Sequence, residues 1–477
     1  MKVLYVTAES VPFIKTGGLA DVAGSLPEAI KSQGVDIRVA MPLYSRITQK
    51  YKDRMEDLGY YYVDLGFRHK YVGVLSLEQN GVTYYFLDSE DYFHRDNIYG
   101  EGDDGERFIY FSKAAALLPK FLDFKADIIH SNDWHAGLVP LYRQDFAKGD
   151  STYGDMRSVH TIHNLKYQGI FDQGLVGDVA GLSEREYLHD DGLKYYDRIN
   201  LMKAGIVYSH ILTTVSRSYA EEIKNEFFGE TLEGIINQHS GKLRGVVNGI
   251  DYNIYDPQRD KKIFKNYSLE TIEDKKENKT KLQEKFGLKK DPDVPLVSMV
   301  SRLVAMKGLD LVERILEELL QEDMQFVVLG TGDKEYEDMF KHFSEKYPDK
   351  MSARIYFDED EAHEIYAGSD IFLMPSMSEP CGISQLISLR YGTIPVVREV
   401  GGLKDTVEPY NKYTGKGNGF SFENFNAHEL LFTLKEAINL YNNDKIWSNL
   451  IKQAMNSKHD WAESSKEYID IYRSLLS

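Results

Sequence analysis

The sequence predicts an α/β protein made of two doubly wound halves. Short runs of apolar, often β-branched residues alternate with longer amphipathic stretches, the order that parallel strands with helical crossovers require. The alternation lapses through a charged stretch at Asp260–Lys290 and restarts at Leu296. A length of 477 residues suits two to four domains, or two large ones.

In chain order, Lys2–Thr7 (KVLYVT) reads as a buried strand and Leu19–Gln33 as a helix ended by Gly34. Asp36–Met41 is the next strand. Residues 60–87 differ: YYYVDLGF, KYVGVLSLEQ and VTYYFLD read as antiparallel strands, with Asn80-Gly81 as a tight turn. They are expected as an insertion on the edge of the first sheet. Asp127–His130, Ser158–Ile162 and Ile211–Val215 continue the parallel series. Asp260–Lys290 reads as solvated loop and helix, its lysines interleaved with Glu270, Glu273, Asp274, Glu277 and Glu284. In the second half the expected strands are Leu296–Val300, Gln325–Leu329, Arg354–Phe357, Ile371–Met374 and Pro395–Val397. The expected helices there are 307–321, 333–346, 360–367 and 383–391.

Composition excludes several classes. With 57 Lys+Arg against 75 Asp+Glu, the net charge is −18, which repels nucleic-acid phosphates and acidic membranes. No nucleic-acid or membrane partner is expected. At 42% hydrophobic and 28% charged residues the chain has a globular balance. One cysteine, Cys381, forbids an intrachain disulfide and points to a reducing compartment, hence the cytoplasm. No apolar run approaches the ~18 residues that span a bilayer. The N-terminus meets Glu9 before any signal-peptide core is complete, so it reads as a strand.

Ligands of open α/β sheets bind outside the carboxyl ends of the strands, and two such halves are expected to face one another across a crevice. The chemistry-bearing motifs fall in loops after strands. Lys15-Thr16-Gly17-Gly18 opens the first helix, where paired glycines and unpaired N–H groups suit a phosphate. A flexible turn with a solvated lysine is about as good a reading of that motif alone. Arg302 and Lys307 flank a turn and can converge on one diphosphate. Ser378-Glu379-Pro380-Cys381-Gly382-Ile383 offers a carboxylate for sugar hydroxyls and N–H groups for an anion. Cys381 itself reads as a packed thiol. Asn132-Asp133-Trp134-His135 and Thr161-Ile162-His163-Asn164 suit polyhydroxyl recognition. Neither HExxH nor CxxC spacing occurs, and the Asp-x-Asp pairs at Asp358 and Asp291 read as a helix cap and a polar linker. No metal site is expected.

Taken together, KTGGLADV, HSNDWHAGL, TIHNLKYQGIF, VVNGID, SRLVAMKG, EPCGISQL and YGTIPVVREVGGLKDTV resemble the bacterial glycogen synthase family and its sister, plastid starch synthase, in order and spacing over the whole chain. The resemblance implies two Rossmann-like domains facing a deep cleft, the GT-B glycosyltransferase fold. It implies a first domain of 1–245 joined by 460–477, and a second of 246–459. A hinge would lie near 244–250, with a second crossing near 457–462. The implied reaction is retaining transfer of glucose from ADP-glucose to the non-reducing 4-hydroxyl of glycogen or another α-1,4-glucan, without cofactor or metal.

Carried over by position, Lys15 and Gly18 would meet the diphosphate from one domain, and Arg302 and Lys307 from the other. Asp133, His163 and Glu379 would surround the glucose. The N–H groups of Gly382 and Ile383 would contact sugar or phosphate, Asn248 would line the donor site and Phe357 would stack on adenine. The resemblance implies a tyrosine at Phe357 in some relatives, whose hydroxyl contact is lost here while the ring face survives, a glutamine often at Met306 and more usually Leu-Thr at Ile383-Ser384; none of these departures removes a proposed charge. A related transferase of the sucrose or trehalose-phosphate type and a silent glucan-binding protein remain alternatives. A dinucleotide oxidoreductase is disfavoured, since its glycine fingerprint is missing. Oligomeric state is left open.

Overall fold

In the computed structural model, which describes residues Met1–Ser477, the chain divides into two units. One is Met1–Asn248 with Trp461–Ser477; the other is Gly249–Asp460.

The first unit is built on twelve strands: β1 (Lys2–Val6), β2 (Asp36–Pro42), β3 (Glu56–Leu65), β4 (Arg68–Gln79), β5 (Val82–Asp88), β6 (Ile128–Asn132), β7 (Arg157–Ile162), β8 (Ile170–Asp172), β9 (Lys194–Tyr195), β10 (Arg198–Asn200), β11 (Ile211–Thr214) and β12 (Leu243–Gly245). Nine form one sheet in the order β12-β11-β7-β6-β1-β2-β5-β4-β3, and β8-β10-β9 form a small second sheet. The run from β12 to β5 is parallel; β4 and β3 add antiparallel strands at the edge. The turn between β4 and β5 is Asn80-Gly81, both at positive φ, as a two-residue hairpin demands. β1 is buried from Val3 to Val6, the signature of a central parallel strand covered on both faces. Its neighbours β2 and β6 lie on opposite sides and are reached by separate crossovers, so strand order reverses between β1 and β6.

The helix Trp461–Leu476 packs on this unit. It buries Tyr468, Ile469 and Tyr472, and Tyr472 Oη lies 2.6 Å from His130 Nδ1. At its start Ser465 accepts a hydrogen bond from Gln33, just past the helix Gly18–Ser32.

The second unit holds β13 (Leu296–Val300), β14 (Gln325–Leu329), β15 (Met351–Arg354), β16 (Ile371–Met374), β17 (Ile394–Arg398) and β18 (Phe420–Phe422). All are parallel, in the order β15-β14-β13-β16-β17-β18. Here the order reverses between β13 and β16. The helix Leu309–Leu319 buries Leu309, Leu311, Val312, Ile315, Leu316 and Leu319, an apolar stripe at helical spacing, against this sheet.

Two expectations are corrected. The strand expected at Arg354–Phe357 lies at Met351–Arg354, because Met351–Arg354 pair with Phe326–Leu329 of β14. The aromatic residues that follow form a loop, since the Asp358 carboxylate accepts from Glu361 N and starts the next helix. Asp260–Lys290 is not merely solvated. Its helix Lys275–Phe286 buries Lys275, Asn278, Lys279, Leu282, Gln283 and Phe286. Lys275 Nζ donates to Ala367 O and Thr393 Oγ1 at 2.8 Å each, and Lys279 pairs with Asp370 at 2.7 Å. Charges that looked like a wet face are partnered within the fold, and burial lowers the Lys275 ammonium to about 7. No helix of the chain is long and apolar enough to cross a membrane.

Candidate active site

Most of the sequence-predicted residues of each unit lie in loops that leave its two switch-point strands or their neighbours, whereas Asn248 and Phe357 follow the edge strands β12 and β15. In the first unit, the loop after β1 carries Glu9 and Lys15. Glu9 is buried, and its carboxylate accepts from Thr16 N at 2.5 Å and from Thr16 Oγ1 at 2.8 Å. These bonds shape the Lys15–Gly18 turn. Lys15 Nζ lies 2.7 Å from Asp21 on the first turn of the helix Gly18–Ser32, half-exposed. Gly18 is the exposed first residue of that helix, and the space around Gly17 is open, so a ligand can approach the backbone there.

The loop after β6 begins with Asp133 at φ +52°, a left-handed conformation that tertiary contacts must hold. Asp133 N donates to Thr161 O, and Asp133 Oδ1 accepts from His163 N at 2.7 Å. The carboxylate thus ties the β6 loop to the loop after β7. His163 Nε2 is 2.9 Å from Asn132 Oδ1, while Asn132 Nδ2 donates to Val6 O and so fixes the orientation of the amide. The acceptor at Asn132 assigns the ring proton to Nε2, leaving Nδ1 as a lone pair. Asn132 Oδ1 also accepts from Tyr5 Oη at 2.9 Å. The His163 carbonyl accepts no hydrogen bond.

Desolvation governs this region. Burial lowers His163, His160 and His135 to about 3, with smaller repulsions from a neighbouring imidazole or cation for the latter two. Burial raises the Asp133 carboxyl to about 7, opposed by the N–H groups of His163 and Asn164 and aided by Glu9. Burial also raises Glu9, against its bonds to Thr16. Asn248 ends the unit buried, its Oδ1 without a partner.

In the second unit, β13 leads to Arg302 and Lys307, and β16 leads to Glu379. Lys307 Nζ lies 2.6 Å from Glu379 Oε2, which also accepts from Ser376 Oγ at 2.9 Å. Glu379 Oε1 has no protein partner. Arg302 is exposed, and its guanidinium makes no hydrogen bond or ion pair. Gly308 permits the approach of these loops: at φ +74°, an added Cβ would sit 2.0 Å from Pro375 O. Met377 N donates to Met306 O, joining them again. Gly382 has φ +77°, and the N–H groups of Gly382 and Ile383, at the entry to the helix Ser384–Arg390, make no internal hydrogen bond. Phe357 is 67% exposed in the loop after β15, an edge strand, and stacks on nothing in the protein.

Two domain families match. A model described as "Starch synthase catalytic domain" covers residues 2–238, and one described as "Glycosyl transferases group 1" covers 280–454. Glycogen synthase of Finegoldia magna is 55% identical over 100% of both chains, and that of Clostridioides difficile is 48% identical over 100% of both. The chain belongs to the glycogen synthase family. The catalytic domain of starch synthase IV from Arabidopsis thaliana, bound to ADP and acarbose, superposes with a TM-score of 0.92 at 31% identity, covering 100% of this chain and 99% of that one. Sucrose-phosphate synthase from Thermosynechococcus elongatus covers 100% and 99% with a TM-score of 0.62 at 14% identity, a likeness of fold alone.

As a glucosyltransferase of the glycogen synthase family, the chain uses its GT-B fold to hold residues that motif reading passes over. Glu9 shapes the Lys15 turn. Ser376 braces Glu379, and Arg398 pins the same loop by donating to Met377 O at 2.8 Å. Gly401 and Gly402 let the chain pass against the backbone of Glu379–Cys381, where a Cβ would come within 2.0 and 2.1 Å of carbonyl oxygens. An acidic residue just past a strand end was the available signal for Glu9, and the Gly-Gly pair opening a helix for Gly401-Gly402.

Proposed function

We propose that this glucosyltransferase moves glucose from ADP-glucose to the non-reducing 4-hydroxyl of glycogen or a linear α-1,4-glucan, retaining the anomeric configuration and needing no metal. The reading is carried by the Lys307–Glu379 pair at the β13/β16 switch point, with an unpaired Arg302 on the same loop. The starch synthase neighbour, solved with ADP and acarbose, supports it.

Breaking the anomeric C–O bond puts negative charge on the leaving diphosphate and positive character on the sugar ring. Arg302 and Lys307, with Lys15, stabilise the first, aided by the free N–H groups of Gly382 and Ile383. Lys307 is already oriented by Glu379, so little reorganisation is needed when the donor arrives. Attack comes from the face the diphosphate leaves, and a leaving phosphate oxygen takes the proton of the acceptor hydroxyl. The growing positive charge is assigned to Glu379, through its unpartnered Oε1, and to the His163 carbonyl, which accepts no hydrogen bond within the protein. Asp133 acts through the backbone it holds, setting the position of His163. Asn248 Oδ1 takes a donor hydroxyl, and the exposed Phe357 ring covers the adenine. Cations of the protein thus do the work that a metal does elsewhere. The single cysteine assigns the enzyme to a reducing compartment, the cytoplasm.

The test is incorporation of labelled glucose from ADP-glucose into glycogen, with and without a chelator. Full activity in chelator is expected; its loss would overturn the metal-free reaction. Glu379→Gln should lower turnover by about 10²-fold or more while leaving donor affinity within a few-fold, because the group acts on charge formed in the transition state. Unchanged turnover would remove Glu379 from the mechanism.

A further inference from the structure

Left-handed backbone is costly for any residue with a side chain, and most of all for a bulky or β-branched one. Of the non-glycine residues at positive φ, Asn80 turns a hairpin, Asp123 follows a helix and Asp133 belongs to the candidate site. The rest are Tyr196, Glu230 and Thr231, at φ +53°, +49° and +69°. These three are joined in one place. Tyr195 Oη is hydrogen-bonded to Thr231 Oγ1, the Tyr195 and Tyr196 rings lie 4.8 Å apart, and Gln168 Nε2 donates to Glu230 O at 2.7 Å.

Tyr196 and Asp197 are the central residues of the two-residue turn between β9 and β10, in which Tyr195 pairs with Arg198. A positive φ at the first central residue alone defines a turn for which glycine is the favoured choice. The position instead holds a tyrosine that is 73% exposed. Local preference opposes this residue and burial does not reward it, so the fold alone does not account for it.

The cluster is tied to the candidate site through Gln168, which is buried and follows His163 by five residues, a span of at most ~18 Å. Gln168 Oε1 accepts from Asn200 Nδ2 of β10 at 2.6 Å, and its carbonyl accepts from Met202 N. Beside it Gly169, at φ +63°, lies so close to Trp134 that a Cβ would sit 2.3 Å from the indole. One glutamine thus holds the β9–β10 hairpin and the Glu230-Thr231 turn to the loop that leaves β7.

We propose that Tyr196, braced by the Glu230-Thr231 turn, is a platform for the acceptor chain a few glucose units from its reacting end. The inference rests on the glucan acceptor proposed above. Pyranose rings present C–H faces to the electron-rich face of an aromatic ring and hydroxyls to its rim, and tyrosine offers both partners. The exposed Glu230 carboxylate accepts from sugar hydroxyls and repels a diphosphate, which favours the neutral acceptor over the charged donor. Strain in the turn fixes the ring where a glycine would let the hairpin tip move.

The test compares wild type with Tyr196→Gly, which removes the ring and suits the turn, and with Tyr196→Phe, which keeps the ring. KM for maltoheptaose should rise about three- to tenfold in the glycine variant and stay within about twofold in the phenylalanine variant. Turnover at saturating acceptor and KM for ADP-glucose should keep wild-type values, because the contact is made before and during reaction alike. The glycine variant should melt at the wild-type temperature or above it, since the strain is gone. Calorimetric titration of maltoheptaose without donor should show the same weakening, and so reads the platform apart from the reaction. An acceptor KM and affinity unchanged in Tyr196→Gly would overturn the platform. A lower melting temperature would overturn it too, because Tyr196 would then be serving the fold. Wild type that binds maltoheptaose but transfers nothing from ADP-glucose would count against the proposed reaction and leave the platform to the titration.

Discussion

In the loops after β6 and β7 the polar groups are buried, shifted toward their neutral forms and joined by hydrogen bonds to backbone; in the loops after β13 and β16 a lysine and a glutamate form an ion pair beside an exposed arginine. Asp133, His163 and Asn132 form a dry network whose members position one another. Lys307 and the buried Glu379 form an ion pair, and Arg302, in the loop that also carries Lys307, is exposed and without a partner. One fold topology, used twice, therefore yields two different electrostatic surfaces. Buried neutral groups give fixed shape and hydrogen-bond direction, because desolvation suppresses their charge. The exposed Arg302 is open to an anionic ligand, while the ion pair with Glu379 fixes Lys307 in place.

Lys307→Met removes the cation proposed to stabilise the departing diphosphate and leaves Glu379 without its ion-pair partner. kcat/KM with ADP-glucose should fall by about 10²–10³-fold. Initial-rate kinetics that show less than a tenfold loss would mean that the charge set is not what drives departure of the nucleotide.

The glycines sharpen the contrast in backbone freedom. Gly308→Ala adds a methyl group 2.0 Å from Pro375 O at φ +74°, and should cost about 2–4 kcal/mol of stability. Gly17→Ala adds one where nothing lies within 4 Å, at φ −159°, so stability should move by less than about 0.5 kcal/mol. If the donor approaches that backbone, Gly17→Ala will raise KM alone. Denaturant titration of the purified variants with donor kinetics checks both.

Acid should separate the two units. His135, His160 and His163 are lowered from 6.5 to about 3, so their stabilising contribution is complete above pH 6.5 and is lost as pH falls toward 3. Asp133 runs the other way. Raised from 3.8 to about 7, it favours the fold below pH 3.8 and loses that benefit as pH rises through 7. The depressed imidazoles of this unit, which include His130, His210 and His239, outnumber its raised carboxyls Asp133, Glu9 and Asp88. Hydrogen exchange between pH 7 and pH 4.5, corrected for intrinsic rates, should show residues 1–248 losing protection before 249–460. Equal loss would erase the electrostatic distinction.

The smallest effect is expected at Phe357. Since the ring is 67% exposed, Phe357→Ala should leave the melting temperature unchanged and raise KM for ADP-glucose about two- to tenfold. A shift in melting temperature without a shift in KM would make the ring structural.

Periodicity located β13 and β16 at the observed residues, because each is a short apolar run between polar residues and is covered on both faces. It misplaced β15. Ile355, Tyr356 and Phe357 look more strand-like than Met351–Arg354, and only pairing with β14 chose the latter. Lys275 and Lys279 misled for a related reason: a charge run in sequence gives no sign of carbonyls and a carboxylate waiting elsewhere in the fold. In the site, Lys15, Asp133, His163, Arg302, Lys307 and Glu379 were legible as polar residues following strands. The restraints on them were not. Glu9 on Thr16, Asn132 on His163 and Arg398 on the Ser376–Met377 loop are contacts between segments whose spacing carries no local signal.

The sequence by itself determined the alternation of strands and helices, the restart of that alternation and the types of group set at strand ends, since these follow from local hydrophobic pattern and residue chemistry. The order of strands within each sheet, and so the place where it reverses, was decided by tertiary packing. So were the burial that shifts one set of groups toward the neutral form and the ion pair that joins Lys307 to Glu379. Desolvation depends on every neighbour a group acquires, and those neighbours come from chain segments far apart until the sheets assemble.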